Sequence, residues 1–253
     1  MKRALSIFSL VILSACGSAG PLDALQPGEE ARVVRILDGD TFALNTGLVV
    51  KLASLEAPSF GYGEQEDQVH AKESARILED LIMGRSVRLY YPGITRDRYD
   101  RAIAQVETVD DLGPYLWVNQ EVIRKGGARV RLFPDTDALA AEMLRAETDA
   151  QLERAGLWSK RDYADNSATS ITAEFRGFTL VEAVTYGSAG PGGKFASCRI
   201  SLEGAAMLLE ISDEAKDHCE LPSGTPIQAR GYVRSGRMDI THPLNLTIRD
   251  QSS

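Results

Sequence analysis

Short runs in which apolar or β-branched residues alternate with polar ones open the main body of the chain. They are Arg32-Val33-Val34-Arg35-Ile36-Leu37, Thr41-Phe42-Ala43-Leu44 and Leu48-Val49-Val50-Lys51-Leu52-Ala53, separated by Asp38-Gly39-Asp40 and Asn45-Thr46-Gly47. The pattern predicts three antiparallel strands of a meander. Between residues 68 and 83 the period lengthens: Val69, Ala71, Ala75, Ile77, Leu78, Leu81 and Ile82 follow the helical repeat, and Gly84 is placed to cap its end. Ser86-Val87-Arg88-Leu89-Tyr90-Tyr91 reads as a fourth strand and residues 101–106 as a fifth, ending before a turn at residues 110–114. Two helices follow, at residues 118–125 and 138–154, the second closing at Gly156 before Leu157-Trp158.

Five strands, one helix between the third and fourth and two helices after the fifth suggest a partly open barrel of the OB type over residues 30–161. Residues 162–170 are polar and aperiodic and read as a linker. Beyond them strand patterns return at residues 178–184, 196–202, 206–211, 227–234, 238–241 and 244–248, with a short helix at 213–219. The stretch 187–193, rich in Gly with Pro191, reads as a flexible hairpin loop. A second small β domain over residues 173–250 follows, with another OB-type barrel as a topology that fits and that no motif fixes. The fold class is mainly β with helices, α+β.

The first fifteen residues carry Lys2 and Arg3, then the apolar run Ile7-Phe8-Ser9-Leu10-Val11-Ile12-Leu13, then small residues, which is the order of a secretory signal peptide. The apolar run is too short to span a bilayer. Leu13-Ser14-Ala15-Cys16 resembles the lipobox of bacterial lipoproteins, in which the signal is cut before a Cys that then carries the lipid. A plain signal peptide cut nearby is the other reading. The absence of Asp at position 17 favours the outer membrane as the destination. Residues 16–29 then form a tether rich in Gly, Ser, Pro and acid. Loss of Lys2 and Arg3 with the leader takes the net charge from −8 to −10, which disfavours non-specific nucleic-acid binding without excluding a local basic patch. With Cys16 assigned to the lipid, Cys198 and Cys219 are expected to pair in an oxidising compartment, two buried thiols being the alternative.

Chemistry is expected to start at the acidic turn Asp38-Gly39-Asp40-Thr41. Gly39 lets the chain reverse sharply, and Pro58 keeps Ala57 extended so that Glu56 sits at a strand end. If the strands return side by side, Asp40 and Glu56 come within reach of one another, an oxygen donor set suited to Ca²⁺. An ordinary solvated Asp-Gly hairpin turn is the competing reading.

Asp38-Gly39-Asp40-Thr41, Lys51-Leu52 leading to Pro58, Asp97-Arg98-Tyr99-Asp100-Arg101, Val118-Asn119 and Gly156-Leu157-Trp158 together resemble the thermonuclease, or staphylococcal nuclease-like, family across roughly 130 residues. The resemblance implies an OB-type barrel with three helices and Ca²⁺-dependent cleavage of DNA and RNA. It also implies metal ligands at Asp40, Glu56 and the carbonyl of Ala57, two arginines on the scissile phosphate, and a Glu after the Pro to activate water. This chain departs from that pattern. Arg101 is retained, but Lys51 stands at the other arginine position, Ser59 at the glutamate position, and Glu56 where the family has Asp. A Ser hydroxyl is no general base near neutral pH, a loss worth roughly 10²- to 10⁴-fold in rate. Lysine lacks the planar fork that holds two phosphate oxygens at once. Glu64 or Glu66 swinging in from the next loop is a weak route to rescue.

Arg98 and Tyr99 are candidates for a phosphate groove with an aromatic face, ordinary packing of Tyr99 being the alternative. Asp97 is expected to orient Arg98 or Arg101, and Trp117 and Trp158 to anchor the core. Arg230, Arg234 and Arg237 read either as a local basic strip or as the exposed face of a strand. Residues 161–253 hold nine Lys and Arg against twelve Asp and Glu, so nucleic-acid binding by that half has no support from composition, and it is expected to position the first half or to meet a protein partner that the sequence does not name. Three functions remain open: a lipid-anchored nuclease-like protein with a decayed site, an active Ca²⁺-dependent nuclease of the envelope, and a non-catalytic envelope scaffold.

Overall fold

A computed structural model describes residues 20–163 and 166–249. The leader and Cys16 lie outside the described residues. Among those described, no helix is long and apolar enough to cross a membrane.

The first unit runs β1 (Gln26–Asp38), β2 (Thr41–Leu44), β3 (Val49–Leu52), β4 (Leu55–Glu56), α1 (Ala71–Ile82), β5 (Ser86–Tyr91), β6 (Ala102–Thr108), α2 (Val118–Arg124), β7 (Arg129–Val130) and α3 (Ala140–Leu152). Five of these strands close a barrel in the order β1-β2-β3-β6-β5. Every pairing in it is antiparallel except β3 with β6. The alternation in the sequence has its cause in this closure: Val33, Val50, Leu52, Val87, Leu89, Ala104 and Val106 point inward and are buried. Leu78 and Ile82, one turn apart on α1, cover that core, and burying each stabilises by roughly 1.5–3 kcal/mol. Gly84 at φ 76° ends the helix, a conformation open to Gly at little cost.

The chain docks earlier than its composition suggests. Leu22 is buried with Tyr90 and Leu139, and β1 starts at Gln26, so the expected tether is partly packed against the barrel. Leu22 and Leu25 find an apolar patch there, and burial outweighs the flexibility of their polar neighbours.

The second unit runs β8 (Asn166–Ser167), β9 (Gly177–Pro191), β10 (Cys198–Leu202), β11 (Leu208–Ile211), a 3₁₀ segment (Asp213–Glu220), β12 (Pro226–Arg234), β13 (Arg237–Ile240) and β14 (Leu246–Ile248). Pairing follows β9-β10-β11-β13-β12 and returns from β12 to β9, with β11 and β13 parallel. This is the strand order and parallel pair of the first barrel, so the second unit has the OB topology as well. Two expectations are corrected here. Residues 187–191 continue β9 instead of forming a loop, because their backbone pairs with β10 at Gly190↔Arg199 and Pro191↔Cys198, which needs no side chains. Within the expected linker, Ser167 pairs with Glu182 of β9, and Ala168 enters the second core. Cys198 and Cys219 form a disulfide that ties the start of β10 to the 3₁₀ segment.

Polar contacts join the barrels. Arg230 on β12 forms a salt bridge to Glu147 on α3 at 2.7 Å with both side chains buried, and also donates to the Val130 carbonyl at 3.1 Å. The Val130 N–H in turn donates to Glu147 at 2.7 Å. His242 Nδ1 accepts from the Leu244 N–H, so Nε2 carries the proton and donates to Asp137 at 2.7 Å. Arg230 therefore belongs to the interface and not to a basic strip. An apolar cluster of Leu157, Trp158, Tyr163, Phe178 and Leu180 completes the seam.

Candidate functional site

Register brings the cations of the first barrel together. Thr41 pairs with Lys51 across β2 and β3, which sets the Lys51 side chain beside the Asp40 turn. The parallel pairing of β3 with β6 matches Lys51 to Ile103, so Arg101, just before β6, emerges at the same end of the barrel. β4 pairs with β7, and from just after β7 the Arg131 side chain reaches along the pair to Glu56. Lys51, Glu56, Arg98, Arg101 and Arg131 border one cavity of about 460 Å³.

Each buried or half-buried carboxylate here is already engaged. Asp40 is buried and accepts from Lys51 Nζ at 2.6 Å and the Ala57 N–H at 3.0 Å on one oxygen, and from the Thr41 hydroxyl at 2.8 Å on the other. Burial pushes its pKa up, but the Lys51 charge and these hydrogen bonds outweigh that and hold it below the ordinary value. Its neighbour Asp38 moves the other way: burial, reinforced by the Asp40 charge, pushes its pKa up to about 6. Asp38 does not line the cavity, so that raised pKa does not make it a base for a bound substrate. Glu56 accepts from Arg131 at 2.8 Å. Asp97 holds Arg101 at 2.6 Å and caps its own turn by accepting from the N–H groups of Tyr99 and Arg101. For Asp97 too, burial raises the pKa and the Arg101 and backbone hydrogen bonds more than reverse it.

The donor set does not fit Ca²⁺ as arranged. A dication would need oxygens of Asp40, Glu56 and the Ala57 carbonyl to converge. Instead Asp40 faces an ammonium, Glu56 faces a guanidinium, and Ala57 presents its N–H to Asp40. Among the described residues no group of three or more metal-ligating side chains is assembled. The Lys51 ammonium neutralises the carboxylate that the metal would use.

Ser59 lies apart from the cavity. It borders a groove between the barrels, and its N–H donates to the Gln68 side chain at 3.1 Å. Glu64 and Glu66 are exposed and do not line the cavity either. What the rim does offer is donors. Arg98 has no carboxylate partner among the described residues and stacks on the Tyr99 ring at 4.7 Å, with Arg101 at 5.4 Å from the same ring. Tyr99 is 64% exposed, so it is a surface platform and not core packing. Arg131 and Phe133, which stack at 4.8 Å, were not singled out from the sequence. The alternation Arg129-Val130-Arg131-Leu132-Phe133 between Gly127 and Pro134 was the available signal.

A closed five-stranded barrel with Lys51, Arg98, Arg101 and Arg131 around one cleft at the β3 and β6 ends is an OB-type domain. Its sequence matches the family described as staphylococcal nuclease homologue over residues 49–160. An uncharacterized endonuclease of Escherichia coli O157:H7 is 31% identical over 134 residues, 52% of this chain and 78% of the relative. Thermonucleases of Staphylococcus intermedius and Staphylococcus hyicus are each 24% identical, over 136 and 162 residues, covering 53% and 62% of this chain and 78% and 92% of theirs. The chain belongs to the staphylococcal nuclease-like family. The family match begins at Val49; the Asp40 turn precedes it and is set beside Lys51 by the pairing of β2 with β3.

Proposed function

We propose that this chain is an exported, lipid-anchored member of the nuclease family that binds nucleic-acid phosphodiesters in the first-barrel cleft and hydrolyses them weakly or not at all. The observation that carries the reading is the Lys51–Asp40 pair at 2.6 Å, which turns the family's metal carboxylate into the partner of an internal cation. Arg98, Arg101 and Lys51 supply donors to phosphate oxygens, and Tyr99 offers a face to a base. No carboxylate stands at position 59 to activate water, and that loss alone costs roughly 10²- to 10⁴-fold. The basic, apolar and small-residue order of the leader, ending at Cys16, supports export and lipid attachment, with the outer membrane as the destination.

Hydrolysis of single-stranded DNA and RNA by a soluble fragment of residues 17–253, with Ca²⁺ and with chelator, tests this reading beside an Arg101→Ala control. Oligonucleotide binding without turnover is the expected result. Ca²⁺-dependent cleavage that disappears in the control would overturn it in favour of an active nuclease. The absence of both binding and cleavage would favour a scaffold.

A further inference from the structure

The second barrel lies outside the family match over residues 49–160, and it carries features that its overall charge does not account for. Its first inter-strand loop (192–197), β10, β11 and β13 border a cavity of about 460 Å³. In barrels of this topology, that strand face and its loops are where oligonucleotides bind. Lys194, Arg199, Arg234 and Arg237 line it against Glu210 and Asp239, so the cavity is locally basic inside an acidic chain. Glu210 alone serves two of the arginines, Arg199 at 2.8 Å and Arg237 at 3.5 Å. Phe195 on the loop is 84% exposed, with the Lys194 ammonium 5.1 Å from its ring centre. An aromatic ring held out among cations is the pairing that single-strand binders use.

The first-barrel cleft and this cavity each share lining residues with a third, smaller one. A notch of about 100 Å³ at the seam shares Arg131 and Phe133 with the cleft and Asp239 and Thr241 with the second cavity. Tyr232 stands in the notch, 40% exposed, with Arg131 at 5.7 Å from its ring centre. The buried Arg230–Glu147 bridge ties the two barrels together at this seam.

We infer that a single strand of nucleic acid runs from the first-barrel cleft over the Tyr232 notch into the basic cavity of the second barrel. The second barrel is then an extension of the binding groove. The cleft end of this path rests on the function proposed above, whereas the second-barrel end stands on its own residues.

The test is fluorescence anisotropy with oligothymidylates of about 5 and about 25 nucleotides, chosen to fill one barrel or both. Three proteins are compared: the wild type, a cleft variant (Arg98→Ala with Arg101→Ala) and a second-barrel variant (Phe195→Ala, Arg234→Ala and Arg237→Ala). The three second-barrel side chains are exposed, so that variant should fold, which its circular dichroism and melting temperature would verify. The expected result is that the second-barrel variant loses about tenfold or more for the long strand. Its salt slope should also fall by about 1.4, for two phosphate contacts. The cleft variant should retain residual, salt-dependent binding that vanishes when the two sets are combined. Unchanged affinity and slope for the long strand in the second-barrel variant would overturn the path and leave the cleft reading standing. Long-strand binding lost in the second-barrel variant but untouched in the cleft variant would sink the cleft reading instead, and with it a path through both barrels. No binding of either strand by the wild type would overturn both.

Discussion

In the first barrel each paired cation has a carboxylate of its own: Lys51 has Asp40, Arg101 has Asp97 and Arg131 has Glu56, at 2.6, 2.6 and 2.8 Å. In the second barrel Arg199 and Arg237 share Glu210, and Arg234 and Lys194 have no salt bridge among the described residues. The strand order is the same in both. The comparison separates two uses of a basic residue. A cation locked onto a carboxylate is aimed and keeps spare donors for a phosphate, but adds little net field. An unlocked one attracts anions over a Debye length and makes binding depend on salt.

The largest effect is expected from uncoupling the barrels. Glu147→Ala leaves the Arg230 guanidinium buried without its counter-charge and strips the Val130 N–H of its acceptor. It should cost about 3–5 kcal/mol in denaturant unfolding. A loss under about 1 kcal/mol would mean that the seam contributes little and that each barrel stands alone. Next in size is the disulfide, confined to the second barrel. Cys198→Ser with Cys219→Ser opens a 21-residue separation and should lower stability by about 3 kcal/mol, read as a fall in melting temperature equal to that from reducing the wild type.

Lys51→Ala addresses the first barrel alone. Asp40 would keep its buried charge without the ammonium, but Lys51 is 23% exposed and water can replace part of the contact. We expect a loss of about 1–3 kcal/mol, against less than about 1 kcal/mol for Arg237→Ala in the second barrel, both by equilibrium denaturation.

The smallest effect separates the two carboxylates of one turn. Asp38 is raised from 3.8 to about 6, so the folded chain holds that proton more tightly than the unfolded chain does. Its contribution to stability is full below 3.8 and is lost as pH rises towards 6. Asp40 is lowered, so its contribution is present above 3.8 and is lost as pH falls through its depressed value. Asp38→Asn should therefore raise the melting temperature at neutral pH and leave it nearly unchanged below 3.8. A gain that is the same at all pH values would show that the Asp38 charge is not the cause.

Periodicity made the elements of both barrels legible because closure of a sheet forces inward and outward positions to alternate, as Val87, Leu89 and Tyr91 do on β5. It failed where backbone pairing proceeds without side-chain pattern, as at Gly187–Pro191, and where one or two apolar residues sit in a polar stretch, as at Leu22. The candidate residues could be named from the sequence, but their partners could not. Asp40 is eleven residues from Lys51 and Glu56 is seventy-five from Arg131, and only register and barrel closure decide which charges meet. Arg230 shows the cost of reading a strand's charges without its neighbours, since it shares the outer face of β12 with Arg234 but is covered there by the first barrel.

The Lys51 ammonium, at 2.6 Å, is the counter-charge of the buried Asp40 carboxylate, which leaves a dication no uncompensated charge to bind there. Calorimetric titration of Ca²⁺ into the folded chain, with melting temperatures recorded in Ca²⁺ and in chelator, measures this. No saturable binding up to millimolar Ca²⁺ and no shift in melting temperature are expected. Saturable binding that raises the melting temperature and is lost in Asp40→Asn would contradict it.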